Sequence, residues 1–112
     1  MKMRVLGIIK EKESGKPISG LVVFAYDKDI LRSDLLGKAT TGKDGKFKIE
    51  YDSTDFKEPL EKNPDIFLKI FQGKDSKGKK GKKPIYSTKD SIRYSASASE
   101  KFYIEITKKK LA

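Results

Sequence analysis

The sequence predicts an all-β domain, a sandwich of about seven short strands, and three features predict it. Period-two alternation of apolar and polar residues recurs along the chain, as in Phe47-Lys48-Ile49-Glu50-Tyr51 and Phe102-Tyr103-Ile104-Glu105-Ile106. No stretch holds a 3.6-residue period through three turns, so no core helix is expected. Gly, Pro, Asn and Asp punctuate the chain at strand-length intervals. With 112 residues, 36% hydrophobic and 38% charged, the chain carries enough apolar side chains for one core, and residues 1–112 are expected to form one domain.

Val5 to Ile9 is the first strand candidate. Glu13-Ser14-Gly15-Lys16-Pro17 then has turn chemistry, and Leu21 to Tyr26 follows as a strand apolar on both faces, as a central strand would be. The two are expected to pair as a hairpin. Asp27 to Leu36 is expected as an irregular connection, with Gly37 to Thr41 a short edge strand. Asp44-Gly45 supplies the positive φ of a tight hairpin turn before the strand Phe47–Tyr51, whose Phe47, Ile49 and Tyr51 share one face. Residues 53–63 are polar and interrupted by Pro59, and are expected as a loop. Ile66 to Phe71 reads as a central strand, with Ile66, Leu68 and Ile70 on one face and Phe67 and Phe71 on the other. The Gly/Ser/Lys stretch over 73–83 has nothing to bury and is expected as a flexible loop. Pro84–Thr88 and Ser91–Tyr94 are short strand candidates, and Ser95–Ser99 a small-residue turn. In the last strand Phe102, Ile104 and Ile106 face the core, and residues 108–112 are expected as a frayed basic tail.

The order of these pieces carries a resemblance. Val5–Ile9, then Ser14-Gly15-Lys16-Pro17-Ile18-Ser19-Gly20, Val22-Val23, and Thr40-Thr41-Gly42-Lys43-Asp44-Gly45-Lys46-Phe47-Lys48-Ile49 resemble the carboxypeptidase regulatory-like domains of the transthyretin-like (prealbumin-like) superfamily. The resemblance covers the first half of the chain well; the half beginning at Asn63-Pro64-Asp65-Ile66 is similar in a less specific way. It implies a seven-stranded Greek-key sandwich used as an accessory or binding module, with no particular ligand.

Composition then narrows the chemistry. Histidine and cysteine are absent, which removes the usual general base, the usual zinc ligands, the Ser-His-Asp arrangement, disulfides and thiol chemistry. Two enzyme families that resemble the fold, intradiol dioxygenases with their Tyr/His iron site and hydroxyisourate hydrolases, both depend on His. The chain is therefore expected not to be an enzyme and to need no cofactor.

The net charge of +10 favours contact with polyanions, but Arg4, Arg32 and Arg93 are the only arginines, so bidentate base reading is not expected. Three candidate sites follow. Lys74, Lys77, Lys79, Lys80, Lys82 and Lys83, opposed by Asp75 alone, could follow a phosphate or sulfate backbone without sequence preference; a solvated loop is the plain alternative. Asp27, Asp29 and Asp34 offer hard oxygen ligands and echo the calcium loops of C2 domains, although Lys28 and Arg32 are interleaved and Asp is also an ordinary turn former. Tyr103 alternates with the core set of the last strand, so it points outward and is the best interface candidate among the five tyrosines.

The expected function is a non-catalytic interaction or structural module for a protein or surface glycan. Polyanion binding through the lysine loop is the competing reading, and a calcium-dependent module the third. No apolar run approaches the ~20 residues of a bilayer span, and no signal-peptide core follows the basic N-terminus, so a cytoplasmic location is expected, or a secreted one if a leader has been removed.

Overall fold

The computed structural model describes residues 2–28, 33–52, 64–73, 83–94 and 96–111. Among them seven strands form a β-sandwich: β1 (Lys2–Glu11), β2 (Leu21–Lys28), β3 (Ser33–Thr40), β4 (Lys46–Asp52), β5 (Ile66–Gln72), β6 (Tyr86–Ser87) and β7 (Ser99–Ile106). One sheet has the order β4-β1-β7 and the other β3-β2-β5-β6. All neighbours are antiparallel except β1 and β7, which run parallel with Arg4 opposite Ser99 and Glu11 opposite Ile106. β4 returns beside β1 after the β2–β3 pair has been laid in the other sheet, the four-strand path of a Greek key.

The alternation read in the sequence places the core. Met3, Val5 and Ile9 of β1, Phe47, Ile49 and Tyr51 of β4, and Phe102, Ile104 and Ile106 of β7 face Val23, Ala25, Ile66, Leu68 and Ile70 of the other sheet. β2 and β5 are central in their sheet, as their apolar runs require. Phe67, on the opposite side of β5 from this core, is buried as well, stacked on Tyr26 with ring centroids 5.3 Å apart.

Two expected hairpins are corrected. After β1 the chain does fold back, Glu11 N donating to Lys16 O and Ile18 N to Ile9 O, but the return stops there. Gly20, with φ at 78°, then turns the chain into the other sheet, where β2 pairs with β3 and β5. The Asp-Gly turn forms as read, with Gly42 N donating to Lys46 O and Gly45 at φ 75°, but it also joins strands of different sheets. A two-sheet sandwich needs some connections to cross between its sheets, and β1–β2 and β3–β4 are such crossings, whereas β2–β3 stays within one sheet. Thr41 holds this corner: its hydroxyl donates to Ile18 O and accepts from Leu21 N, tying the β1 exit to the β3 exit.

Other boundaries shift. β3 begins at Ser33 and β2 runs to Lys28, so the irregular connection is shorter than expected, and a register shift at Ala25/Tyr26 takes up the mismatch. Ser91–Tyr94 forms a single bridge, Arg93 to Ile66, rather than a strand. The basic end is not frayed. Lys108–Leu111 winds one helical turn, α1, with Lys108 N donating to Glu13 Oε1, Gln72 Nε2 donating to Leu111 O, and Leu111 packed on the core. Among the described residues no helix is long and apolar enough to cross a membrane. The expected loops over 53–63 and 74–82 lie outside the described residues.

Candidate ligand-binding face

Strand β1 carries its outward residues between two polar neighbours, and the register fixes what stands beside each. Leu6 lies opposite Lys48 on β4 and Lys101 on β7; Ile8 lies opposite Lys46 on β4 and Tyr103 on β7. The outer face of the three-stranded sheet therefore has two rows, Lys48-Leu6-Lys101 and Lys46-Ile8-Tyr103. Strands at ordinary spacing put the flanking residues of a row about 10 Å apart. Leu6 and Ile8 are half-buried beneath them, while Lys46, Lys48, Lys101 and Tyr103 are exposed. Tyr103 is 83% exposed, the most exposed large apolar side chain among the described residues. An open concavity of about 680 Å³ lies over this floor and reaches Asp44 and Thr40 at the end of the sandwich.

The charges of the two rows differ in how far they are engaged. Lys48 Nζ stands 3.3 Å from Glu50 Oε1, whereas Lys46 and Lys101 have no acidic partner within 4.0 Å among the described residues. Asp44 is turned to the backbone, its Oδ1 accepting from Lys46 N in the turn. An apolar floor, one exposed aromatic ring and two uncompensated ammonium groups are chemically suited to a ligand that combines a hydrophobic face with polar or anionic substituents.

The outer face of the four-stranded sheet is aromatic but closed. Phe24 packs edge-on against Phe71 at 5.4 Å and beside Tyr26, Lys69 Nζ sits 5.2 Å from the Tyr26 ring centre, and Phe67 and Val22 beneath are buried. Burial raises the Tyr26 phenol above its ordinary value.

The sequence candidates fall in different places. Tyr103 is outward and exposed, on β7 at one edge of the open face. Asp27 is 3% exposed inside the sandwich, where its Oδ1 accepts from Asp65 N and pins β2 to the start of β5, and Asp34 lies opposite it on β3. Asp29 is outside the described residues, and among those described no three His, Cys, Asp or Glu side chains gather as a metal site would need. Of the lysine-loop candidates, Lys83 is exposed on the approach to β6; Lys74, Lys77, Lys79, Lys80 and Lys82 lie outside the described residues. Arg93, one of the three arginines, is used internally: its guanidinium lies 4.1 Å over the Phe102 ring and 3.0 Å from Glu100 Oε1. Burial opposes ionisation of Glu100, but bonds from Ser97 N and Oγ and the Arg93 charge outweigh it and hold the carboxyl below its ordinary value.

In the sequence Lys46, Lys48 and Lys101 look like any solvated side of a strand. Their alternation with Phe47, Ile49 and Phe102 was the available signal; that they flank one strand was not.

No family model matches the chain, and no curated protein matches it. Among solved structures, a 9R-lipoxygenase from Cyanothece PCC8801 is similar at 21% identity and a TM-score of 0.58, over 92% of this chain. This chain spans only 16% of the lipoxygenase. The dioxygenase domain of a dioxygenase carbohydrate-binding protein fusion from Streptomyces sp. SirexAA-E is similar at 15% identity and a TM-score of 0.49, over 95% of this chain and 80% of that chain. The lipoxygenase similarity corrects the expectation that the chain is not an enzyme: the fold recurs within the chain of an enzyme. Lack of His removes particular chemistries from these residues, but it does not separate the fold from enzymes: in the lipoxygenase the matched region is one part of a longer chain.

Proposed function

We propose that this domain is a binding module for a glycan, and that its ligand face is the outer surface of the β4-β1-β7 sheet. The observation that carries this reading is Tyr103, exposed beside the half-buried Ile8 in an open concavity. A tyrosine ring offers an apolar face for the C–H side of a pyranose and a hydroxyl for its polar rim, and it loses little conformational freedom on binding. The resemblance to carboxypeptidase regulatory-like domains supports the same modular character. A fold shared with part of a lipoxygenase chain is compatible with a module that serves a larger catalytic protein.

Native affinity electrophoresis through gels carrying immobilised polysaccharides tests the reading. Retardation by at least one polysaccharide is expected, and Tyr103→Ala should abolish it without changing the melting temperature. Equal retardation of the wild type and Tyr103→Ala would contradict the assignment of this face.

A further inference from the structure

The geometry points to an acidic glycan, a chain of uronic acid residues, as the class of ligand taken by this face; the inference rests on the glycan reading above. Its basis is the placement of charge about the apolar floor. Lys46 shares a row with Ile8 and Tyr103, and Lys101 precedes Tyr103 by two residues on the same face of β7. A sugar ring seated against Tyr103 thus has one lysine rooted on the far side of β1, its backbone about 10 Å away across two strand spacings, and another rooted about 7 Å away along its own strand. Neither lysine has an acidic partner among the described residues, and Lys48, bridged to Glu50, stands next in the row of Lys101. Neutral saccharides offer these cations no counter-charge, whereas a carboxylate on successive rings meets them with charge-assisted hydrogen bonds.

The same arithmetic disfavours a nucleic acid. A phosphate backbone is followed by an unbroken run of cations, whereas on this face Arg4, Lys10, Lys46, Lys48 and Lys101 are interleaved with Glu50 and Glu105. Stacking of successive bases needs a series of aromatic platforms, and Tyr103 stands alone in its row. One ring on an apolar floor, with Lys101 before it and Glu105 after it on β7 and Lys46 across β1, matches a short run of acidic sugars better than a base ladder.

Calorimetric titration compares polygalacturonate with the same polymer fully methyl-esterified, which keeps the sugar backbone and removes the charge, and with single-stranded DNA. The expected result is tighter binding of polygalacturonate, weakened by salt. Each of Lys46→Gln and Lys101→Gln should lower that affinity about 3- to 5-fold, the range of one exposed ion pair, and the double variant about 10-fold or more. Affinity for the ester should not change in these variants. Equal affinity for both polymers, unaltered in the double variant, would overturn the acid preference while leaving the glycan reading intact. Failure to bind either polymer, in the gels or in solution, would overturn both. Binding of DNA alone, reduced in the double variant, would replace the glycan with a nucleic acid.

Discussion

The two sheets turn different outer faces to the surroundings, and the difference begins in their strands. β4 and β7 alternate strictly, so one side of each is core and the other is Lys46, Lys48, Glu50 or Lys101, Tyr103, Glu105. β2 and β5 are apolar on both sides, and their second set, Val22, Phe24, Tyr26, Phe67 and Phe71, packs on itself. An aromatic side chain is therefore structural on one sheet and available on the other. Phe67 is 1% exposed and Tyr103 is 83% exposed, although both face away from the core cluster. Abundance of aromatic residues on a sheet does not mark a ligand face; what marks it is an aromatic left uncovered over an apolar floor.

Denaturant unfolding of single variants tests this difference. Phe67→Ala should cost about 3–5 kcal/mol, the range for emptying a buried aromatic position. Were it to cost less than 1 kcal/mol, the four-stranded face would be no more structural than the other. A second large effect belongs to Tyr51, the inward-facing tyrosine of β4. Burial first, then the nearby carboxylates of Glu100 and Asp27, push its phenol from 10.0 up to about 12. The neutral form is favoured in the folded state, so this contribution is whole below pH 10 and is lost as pH rises toward about 12. The loss should reach about 3 kcal/mol, at roughly 1.4 kcal/mol per pH unit, and Tyr51→Phe should not show it. Ultraviolet titration of the folded wild type should show a late-ionising tyrosine that Tyr51→Phe removes.

Smaller effects follow at the contacts that hold the sheets together. Thr41→Val removes the hydroxyl shared by Ile18 O and Leu21 N and should cost about 1–3 kcal/mol, measurable in the same unfolding experiment. The lowered Glu100 carboxyl stabilises the fold above its ordinary value of 4.5, and this stability is lost as pH falls below that point through the folded value. Glu100→Gln should flatten that acid limb of the stability curve. Tyr103→Ala should change stability by no more than about 0.5 kcal/mol, since an exposed surface substitution removes little packing; its effect should appear in binding alone.

Much of this was legible locally. Alternation placed Phe47, Ile49, Tyr51, Phe102, Ile104 and Ile106 in the core and Tyr103 outside it, and doubly apolar runs identified β2 and β5 as central. Glycine chemistry located the turns at Gly15 and Gly45, but a turn does not state which sheet its second strand joins, so neither expected hairpin forms. The parallel pairing of β1 with β7 joins opposite ends of the chain and leaves no local mark. The candidate face depends on that pairing, because Lys46, Lys101 and Tyr103 meet only when β4 and β7 flank β1. The lysines of 74–83 drew attention because their charge is dense along the chain. Asp27 read as a turn former or metal ligand because side-chain direction at the end of an apolar run is not visible in composition; the pleat turns it inward, where it bonds Asp65 N.

The most direct test of the open-face assignment is heteronuclear NMR of the labelled protein titrated with oligogalacturonate. The largest amide shifts are expected on Leu6, Ile8, Lys46, Lys48, Lys101 and Tyr103. Shifts centred on Phe24, Tyr26, Phe67 and Phe71, or on the lysines of 74–83, would contradict it.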